Sequence, residues 1–449
     1  METNRSLALS VVIRDWLESG ASVGFNKLFP FELVVQNKPK NSRDRVFNPS
    51  VTLLTMIRTM IESDKSLQNS LNIYRETHDQ IVKSVQDIKE EFSQREREKR
   101  RGRPQLKAIN IQKSKTYEIS SSTSAFAQAR NRLSQDLVNL VYSDTTKNIT
   151  SKCSTKFYGR EVYMTDGTYL QLQDTADIKA KFPVQKSLSY PRALLSIITH
   201  QGSGKIADYT LGSTKDGELK LFSSMIGNIP SGSLLLADDL YNCLAVVIML
   251  QKKNIDIIVP GKRKRNFKVI KKIGKGDTIV ELKAEQNRSK IMRENGIENQ
   301  IVIMRRLEYI DPNTGQSAVI YTTLTDQHID KEAIILKYWT RWAIEISIRE
   351  LKTLLGMNII RGKSTDTVIK EVGCSLIAYN YVREIIQETA VEADFSPKGD
   401  IYEKLYKVDE AILTDKLGRV FSHWSSGRKP KIRENEGTDE KKLSTTSSR

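Results

Sequence analysis

The most informative segment of this sequence is Tyr338-Trp339-Thr340-Arg341-Trp342-Ala343-Ile344-Glu345, which continues to Lys352. If the segment is helical, Tyr338 and Arg341 precede Glu345 by seven and four residues, and Lys352 follows it by seven. At 3.6 residues per turn, these offsets lie within about 40° of one line along the helix. The segment therefore predicts one carboxylate flanked on a single helix face by a phenol, a guanidinium and an ammonium, all of which bind phosphate oxygens.

The same pattern also fits an ordinary solvated helix face. Arg341 and Glu345 are four residues apart and can form a simple i,i+4 ion pair. Two tryptophans and three apolar residues nearby favour a packed helix instead, which we expect to begin near Asp330 and to continue to about Leu355. The apolar residues are Ile344, Ile348 and Leu351.

The composition is typical of a globular protein with a polyanionic partner. The chain has 449 residues, 39% of them hydrophobic and 28% charged, which suffices for several domains. The net charge of +17 favours nucleic acid, although a ribosome or an anionic membrane surface would also attract it. The longest apolar run, Leu244–Leu250, is too short to span a membrane, and we find no secretory signal near the start. Three scattered cysteines fit a reducing cytosol, and with four histidines they argue against zinc.

Helical and strand-like patterns alternate along the chain. One helix is predicted to start at Asn48-Pro49-Ser50 and another to run from Ser121 through Val141. A further helix is expected over Tyr241–Lys253. The strand-like runs are Val162–Met164, Leu194–Thr199, Leu234–Ala237 and Ile255–Val259. This alternation predicts an α/β layer with a mixed sheet, followed by a second β-rich stretch over residues 262–325.

The spacing Tyr-x2-Arg-x3-Glu-x6-Lys resembles the YREK element of the DDE transposases of the insertion-sequence-four family. The resemblance covers roughly residues 45–385 and includes further segments. Around the glutamate these are Arg341-Trp342-x-Ile344-Glu345, Leu351-Lys352, Leu355-Gly356 and Asn380-Tyr381-Val382-Arg383; upstream they are Phe47-Asn48-Pro49 and Ala125-Phe126-x-x-Ala129-Arg130-x-Arg132-Leu133. The resemblance implies an α/β fold with a ribonuclease-H-like mixed sheet flanked by helices, a β-rich insertion and an N-terminal helical DNA-binding region.

The resemblance also implies domain boundaries. The predicted parts are an N-terminal helical DNA-binding region 1–105, a helical connector 106–155, a catalytic core 156–261 and 327–390, a β-rich insertion 262–326, and a C-terminal region with a basic tail 391–449.

The family requires two aspartates upstream of the glutamate, and two stand at suitable places. Asp166 closes the strand-like run that begins at Val162, and Asp238 closes the run that begins at Leu234. Taken alone, each would be an ordinary carboxylate at the end of a strand. With Glu345, the resemblance makes them the catalytic and metal-binding set, because Mg²⁺ takes hard oxygen ligands. Two Mg²⁺ ions, which Mn²⁺ can replace, would activate the nucleophile and stabilise the leaving 3′ oxygen.

The sequence leaves one detail of the expected site open. Asp239 competes with Asp238 for the second position, although the family spacing to Tyr241 favours Asp238. Tyr338, Arg341 and Lys352 would hold phosphates, a role that the resemblance assigns.

The insertion opens with a dense cluster of cations before its first carboxylate, Asp277. The cluster consists of Lys262, Arg263, Lys264, Arg265, Lys268, Lys271, Lys272 and Lys275. One interpretation is a sheet edge that lysines protect from pairing with other chains. The other is contact with a DNA backbone, which would relieve the repulsion among the cations. We predict DNA phosphate contacts, first of all by residues 262–265.

Two further features are weaker. Some relatives stack a flipped base on a tryptophan in this insertion, but no tryptophan occurs here between Trp16 and Trp339, so that Phe267, Tyr309 or Tyr321 would have to serve. Arg101-Gly102-Arg103-Pro104 resembles the core of an A·T-hook, whose arginines enter the minor groove; a simple basic linker is the alternative.

The predicted function is that of a Mg²⁺-dependent DNA transposase. It would bind terminal inverted repeats, cleave and transfer strands through hairpin ends, and act as a homodimer on paired ends in a bacterial-type cytoplasm, associated with the nucleoid. The alternatives are a transposase-derived DNA-binding repressor that never cuts, and a related metal-dependent nuclease.

Overall fold

The structure is a computed structural model, and it describes residues 25, 28–39, 46–75, 122–147, 149, 156–185, 188–262, 265–283, 300–311, 314–353 and 355–392. The chain divides into one compact unit, Met1–Thr389, and a second unit that begins at Ala390. Four predicted contact residues lie outside the described residues: Arg101, Arg103, Arg263 and Lys264. Among the described residues, no helix is both long enough and apolar enough to cross a membrane.

The described residues before the sheet are mainly helical. Their helices include α1 (Phe31–Gln36), α2 (Pro49–Thr59), α3 (Ser124–Arg132) and α4 (Gln135–Thr146). The predicted start of α2 is confirmed, since the Asn48 side chain accepts a hydrogen bond from the Val51 N–H over 3.0 Å. The single helix predicted from Ser121 is wrong: Leu133 is extended, and Ser134 caps a second helix by accepting from the Asp136 N–H.

A mixed sheet forms the centre of the unit. Its first five strands are β1 (Val162–Gln171), β2 (Arg192–His200), β3 (Ile206–Ser213), β4 (Leu234–Leu236) and β5 (Asp256–Pro260), in the order β3-β2-β1-β4-β5. β1, β2 and β3 pair antiparallel, whereas β4 is parallel to both β1 and β5. The predicted mixed α/β sheet is therefore confirmed.

The β-rich stretch extends this sheet. Its strands are β6 (Lys268–Gly274), β7 (Asp277–Lys283), β8 (Ile301–Ile310) and β9 (Ser317–Thr322). They continue the order as β5-β9-β8-β7-β6, all antiparallel, so that the sheet has nine strands. β9 joins β5 by pairing Thr322 with Ile258. The insertion is thus joined by hydrogen bonds to β5, the first strand after Asp238.

Helices cover both faces of the sheet. Side chains alternate between the faces along β1, so that Val162 and Met164 lie in one hydrophobic cluster and Tyr163 in another. The remaining helices are α5 (Ala176–Lys181), α6 (Glu218–Met225), α7 (Leu244–Lys252), α8 (Lys331–Trp339), α9 (Ala343–Thr353) and α10 (Thr365–Glu392). Buried residues of α9 and α10 share the cluster of Val162, while those of α6 and α7 share the cluster of Tyr163.

The helix predicted from Asp330 to Leu355 is two helices. α8 ends at Trp339, a 3₁₀ turn follows at Thr340–Trp342, and α9 begins at Ala343. The Thr340 hydroxyl donates to the Lys337 carbonyl over 2.6 Å and accepts from the Gln201 amide, also over 2.6 Å. A threonine that bonds its own helix carbonyl competes with the helical ladder, which accounts for the break.

Candidate active site

The two predicted aspartates lie just beyond the last paired residues of two neighbouring parallel strands, β1 and β4. β1 and β4 pair through Val162 with Leu234 and Met164 with Leu236. Two residues further along each strand stand Asp166 and Asp238. Asp166 does not close its strand as predicted, since β1 continues to Gln171 with β2 as its partner. Because alternate residues share a face, Asp166 lies on the same face as Val162 and Met164.

Glu345 approaches this pair from a packed helix. It lies in the first turn of α9, and its neighbour Ile344 is fully buried, as is Leu351 two turns later. These anchors place α9 against β1, on the face that carries Asp166. The Glu345 side chain itself is 45% exposed and accepts a hydrogen bond from Arg341 over 2.8 Å. The i,i+4 ion pair therefore exists, and the helix is packed as well.

Asp238 and Glu345 both lie within electrostatic reach of Asp166. Burial raises the pKa of Asp166, and the like charges of Asp238 and Glu345 raise it further. The Gly167 N–H, which donates to Asp166 Oδ1 over 2.8 Å, and the Arg341 guanidinium oppose this rise. Negative charge is therefore concentrated around Asp166 beyond what the nearby cation neutralises.

The donor set suits a hard divalent cation, but the side chains are not gathered around one point. Each carboxylate is occupied by a local donor, since Asp238 accepts the Leu240 N–H over 2.8 Å while Asp166 and Glu345 bond Gly167 and Arg341. Among the described residues, no three His, Cys, Asp or Glu side chains stand ready to hold a metal ion. The residues fit the ion chemically, and these side chains would have to rearrange to hold it.

Tyr338, Arg341 and Lys352 were predicted to share a helix face with Glu345. The Tyr338 hydroxyl is hydrogen-bonded with Arg341, and burial raises the pKa of Tyr338 to about 12, so that it remains a donor at neutral pH. Arg341 is within electrostatic reach of Tyr338, Glu345 and Asp166. Lys352 lies two turns beyond Glu345 and lines a groove beside β1.

The two adjacent aspartates, Asp238 and Asp239, have different surroundings. Asp238 is the one whose charge acts on Asp166. The Asp239 carboxylate instead accepts the backbone N–H of Lys262 over 3.2 Å, at the start of the insertion. The arrangement favours Asp238 as the partner of Asp166.

A fourth carboxylate, Glu218, is close to the site and was not anticipated from the sequence. It lies at the start of α6 and accepts a hydrogen bond from the buried Tyr241 hydroxyl over 2.6 Å. Burial raises the pKa of Glu218, and the charges of Asp166 and Asp238 add to this effect. The only sequence signals were Gly167, which leaves room for this carboxylate, and Tyr241, which bonds it.

We expect Gly167→Ala to disturb this contact. A Cβ at Gly167 would lie 2.5 Å from Glu218 Cδ, so that the Glu218 carboxylate must move and its hydrogen bond from the Tyr241 hydroxyl is disturbed. The free energy of unfolding should fall by about 1–3 kcal/mol, as measured by urea denaturation. Gly227→Ala, where a Cβ meets nothing within 4 Å, is the matched control and should change little. Adding Glu218→Ala should restore most of the stability lost in Gly167→Ala; no restoration would show that the clash lies elsewhere.

The lysines of β6 lie at an edge of the sheet. β6 is the outermost strand, and the side chains of Lys268, Lys271 and Lys272 are exposed there. This position is compatible with both interpretations, protection of the edge and contact with DNA. Lys262 is also exposed, but it follows the central strand β5. Arg265, also in the predicted set, is half-buried.

The comparisons with known proteins found similarity to transposases. Residues 158–381 match the family described as "Transposase DDE domain". "Transposase InsG for insertion sequence element IS4" of Escherichia coli (strain K12) is 26% identical over 272 residues, which are 58% of this chain and 60% of that protein. The structure of the piggyBac transposase synaptic complex with hairpin DNA has a TM-score of 0.41 and 7% identity, covering 95% of this chain and 87% of that one; this score is too low to align the sites.

The matched segment contains Asp166, Asp238 and Glu345, and the chain belongs to the family of DDE transposases. Within that family its similarity lies with the transposases of the insertion-sequence-four group. The chain spans 60% of the length of the curated relative that it matches.

Proposed function

We propose that this chain cuts and joins DNA strands at the ends of a mobile element in a Mg²⁺-dependent reaction. The proposal rests on one observation. Asp238 and Glu345, which belong to two other segments, lie close enough to Asp166 for their charges to raise the pKa of Asp166. Neighbouring like charges disfavour the charged form of a carboxylate, so a divalent cation bound beside Asp166 would relieve this repulsion. Membership of the DDE transposase family supplies the reaction class.

Asp166, Asp238 and Glu345 would hold two Mg²⁺ ions, or Mn²⁺ in their place. Bound there, the ions would activate the attacking oxygen and stabilise the charge on the leaving 3′ oxygen. β1 and β4 hold the two aspartates next to each other in the sheet, and α9 holds the glutamate on the face of β1 that carries Asp166. The buried, partly desolvated position of Asp166 would strengthen its interaction with any positive charge.

Arg341 and Tyr338 would receive the phosphate. At present Arg341 is bonded to Glu345. A phosphate oxygen is an equivalent anionic partner for the guanidinium, so that its arrival would release the Glu345 carboxylate. The Tyr338 hydroxyl, held in its protonated form, would donate to the same phosphate group. Substrate binding and completion of the carboxylate set would thus be coupled.

The remaining features of the proposal follow from the family resemblance and the charge. The chain would bind terminal inverted repeats, excise the element through hairpin ends and join it to target DNA, as a homodimer on paired ends. The net charge of +17 supports binding to DNA. These reactions would take place in the bacterial-type cytoplasm, at the nucleoid.

Of the aromatic residues considered for base stacking, Phe267 is the one in a suitable place. Its side chain is 39% exposed and lies over the Arg306 guanidinium at 5.0 Å. Tyr321 is buried, with only 3% of its surface exposed, and Tyr309 packs edge-on against Trp339. We therefore propose Phe267 for any contact with an unstacked base in the insertion.

The decisive experiment uses purified full-length protein and linear DNA that carries the inverted repeats flanking its own gene. The proposal expects strand cleavage at the repeat ends in Mg²⁺ and none in EDTA. Tight binding without cleavage in either Mg²⁺ or Mn²⁺ would identify an end-binding repressor instead. Cleavage that ignores the repeats would identify a structure-selective nuclease.

A phosphate contact by Lys352 has its own signature. Lys352→Ala should weaken binding to the end DNA several-fold and lower the slope of log K against log salt by about one unit, because one counterion fewer is released. The measurement is fluorescence anisotropy over a series of salt concentrations. Lys252→Ala, an exposed charge at the end of α7, is the matched control. An unchanged slope in Lys352→Ala would contradict the phosphate role.

A further inference from the structure

A polar groove of about 400 Å³ opens beside the candidate active site. It begins at Gly167, directly after Asp166, and is bounded by β1, the start of β2 and the end of α9. Its principal side chains are those of Tyr169, Gln171, Tyr190, Arg192, Lys352 and Asn358. We propose that this groove binds one unpaired nucleotide of the DNA strand next to the reacting phosphate.

Beside the groove, β1 extends beyond its parallel neighbour β4. β1 pairs with β4 only as far as Met164, although it continues to Gln171. At Gln171 the missing neighbour is replaced by another segment, since the Gln171 N–H donates to the Asn358 carbonyl over 3.0 Å and the Ile360 N–H donates back to Gln171 over 2.9 Å. Between these two points, no described strand covers that edge of β1. The groove is therefore built into the sheet and closed at its far end.

Its chemistry suits a nucleotide. Arg192 and Lys352 supply two cations, and no carboxylate is among the residues that line the groove. Neither cation has an ion pair with a described acidic side chain. The Arg192 guanidinium donates to the Tyr190 hydroxyl over 2.9 Å and lies 5.2 Å from the centre of that ring, which fixes its orientation. An oriented guanidinium binds phosphate through two parallel hydrogen bonds.

The groove also offers a surface for a base or a sugar. The Tyr169 ring is 47% exposed on the same edge of β1. Bases stack on such rings with little regard to sequence. A volume of about 400 Å³ lies in the lower range of small-ligand sites, so the groove has room for a single nucleotide. A base that enters the groove must separate from its complement, so this nucleotide is unpaired.

The location connects the groove to the reaction, and in this respect the inference rests on the proposed function. Gly167 lines the groove and donates its N–H to Asp166. Lys352 shares α9 with Glu345. A strand whose phosphate lies at the three carboxylates would have its next nucleotide in the groove. That nucleotide belongs either to the strand end of the element or to the strand beyond the cut, and these two sources differ in the polarity of the unpaired extension.

The test is binding, measured in EDTA so that no strand is cut. The probes are one duplex in three forms: blunt, with a three-nucleotide 5′ extension of thymidines, and with the equivalent 3′ extension. We expect full-length wild type to bind one extended form about tenfold more tightly than the blunt form. Arg192→Ala and Tyr169→Ala should each abolish that preference while blunt-duplex affinity changes less than twofold. Tyr169 is exposed, so its variant keeps the fold, and Lys252→Ala should keep the preference.

Three results would overturn the proposal. Wild type that binds all three forms equally has no site for an unpaired nucleotide. Equal weakening of all three forms in Arg192→Ala would show a general contact with the backbone. Retention of the preference in both groove variants would place the site elsewhere. Because cleavage is not measured, a chain that never cuts DNA could still show the preference, and a chain that cuts could lack it.

Discussion

Asp166→Asn should abolish DNA cleavage without unfolding the protein. Asparagine keeps the shape of the side chain and can still accept the Gly167 N–H, which is 2.8 Å away. It removes the anionic charge that a divalent cation requires. We expect the cleavage rate to fall at least about a thousandfold, equivalent to ~4 kcal/mol of transition-state stabilisation. Cleavage of the end DNA in Mg²⁺ is the measurement, with binding followed by gel shift.

The stability of this variant provides an internal check. Burial and two like charges raise the pKa of Asp166 in the folded protein. A carboxylate whose pKa is raised on folding binds its proton more tightly in the fold, so the charged form at neutral pH destabilises the fold. The melting temperature of Asp166→Asn at pH 7 should therefore equal or exceed that of wild type. Asp174→Asn, at an exposed ion pair with Lys179, is the control and should keep full activity. Cleavage at the wild-type rate by Asp166→Asn would show that the metal site is misplaced.

The second large effect distinguishes two adjacent residues. Asp238→Asn should reduce cleavage about a thousandfold, whereas Asp239→Asn should stay within about threefold of wild type. Both substitutions preserve the local hydrogen bonds, because asparagine can accept the Leu240 N–H at one position and the Lys262 N–H at the other. The difference between the variants therefore isolates the charge that acts on Asp166.

The same cleavage assay, with matched amounts of folded protein confirmed by circular dichroism, measures both variants. Comparable losses in the two would mean that either carboxylate can serve. A loss confined to Asp239→Asn would transfer the role to the residue that bonds the insertion.

The strands that carry the aspartates could be predicted because their signal is local. Leu234–Leu236 is an uninterrupted apolar run, as expected of a short strand buried on both faces. The end of β1 could not be predicted in the same way. Beyond Met164 the strand persists because β2 pairs with it, and such pairing is a property of distant residues. Asp166 therefore lies within a strand rather than after one.

β3 and α6 escaped prediction for related reasons. Most side chains of β3 are half-buried, so that the strand lacks a clear apolar alternation, and α6 is only eight residues long. Glu218, at the start of α6, reaches the site through the space at Gly167. No spacing rule links residues that meet only through tertiary contacts.

For the insertion, the sequence predicted strands but not their partners. Its β-rich character was predicted, yet its continuity with the central sheet depends on three register pairs between β5 and β9. The consequence is functional: the exposed cations of β6 are carried on the same sheet as Asp166 and Asp238. DNA bound along that edge would be positioned rigidly with respect to the carboxylates.

The most direct test of the account is to locate Mn²⁺ in crystals of the protein bound to uncleaved end DNA, using anomalous scattering. We expect two anomalous peaks from Mn²⁺, about 4 Å apart. Oxygens of Asp166, Asp238 and Glu345 should lie about 2.1 Å from the ions, with Arg341 turned from Glu345 to a phosphate. Well-occupied Mn²⁺ bound elsewhere, with Glu345 still paired to Arg341 beside the DNA, would contradict it.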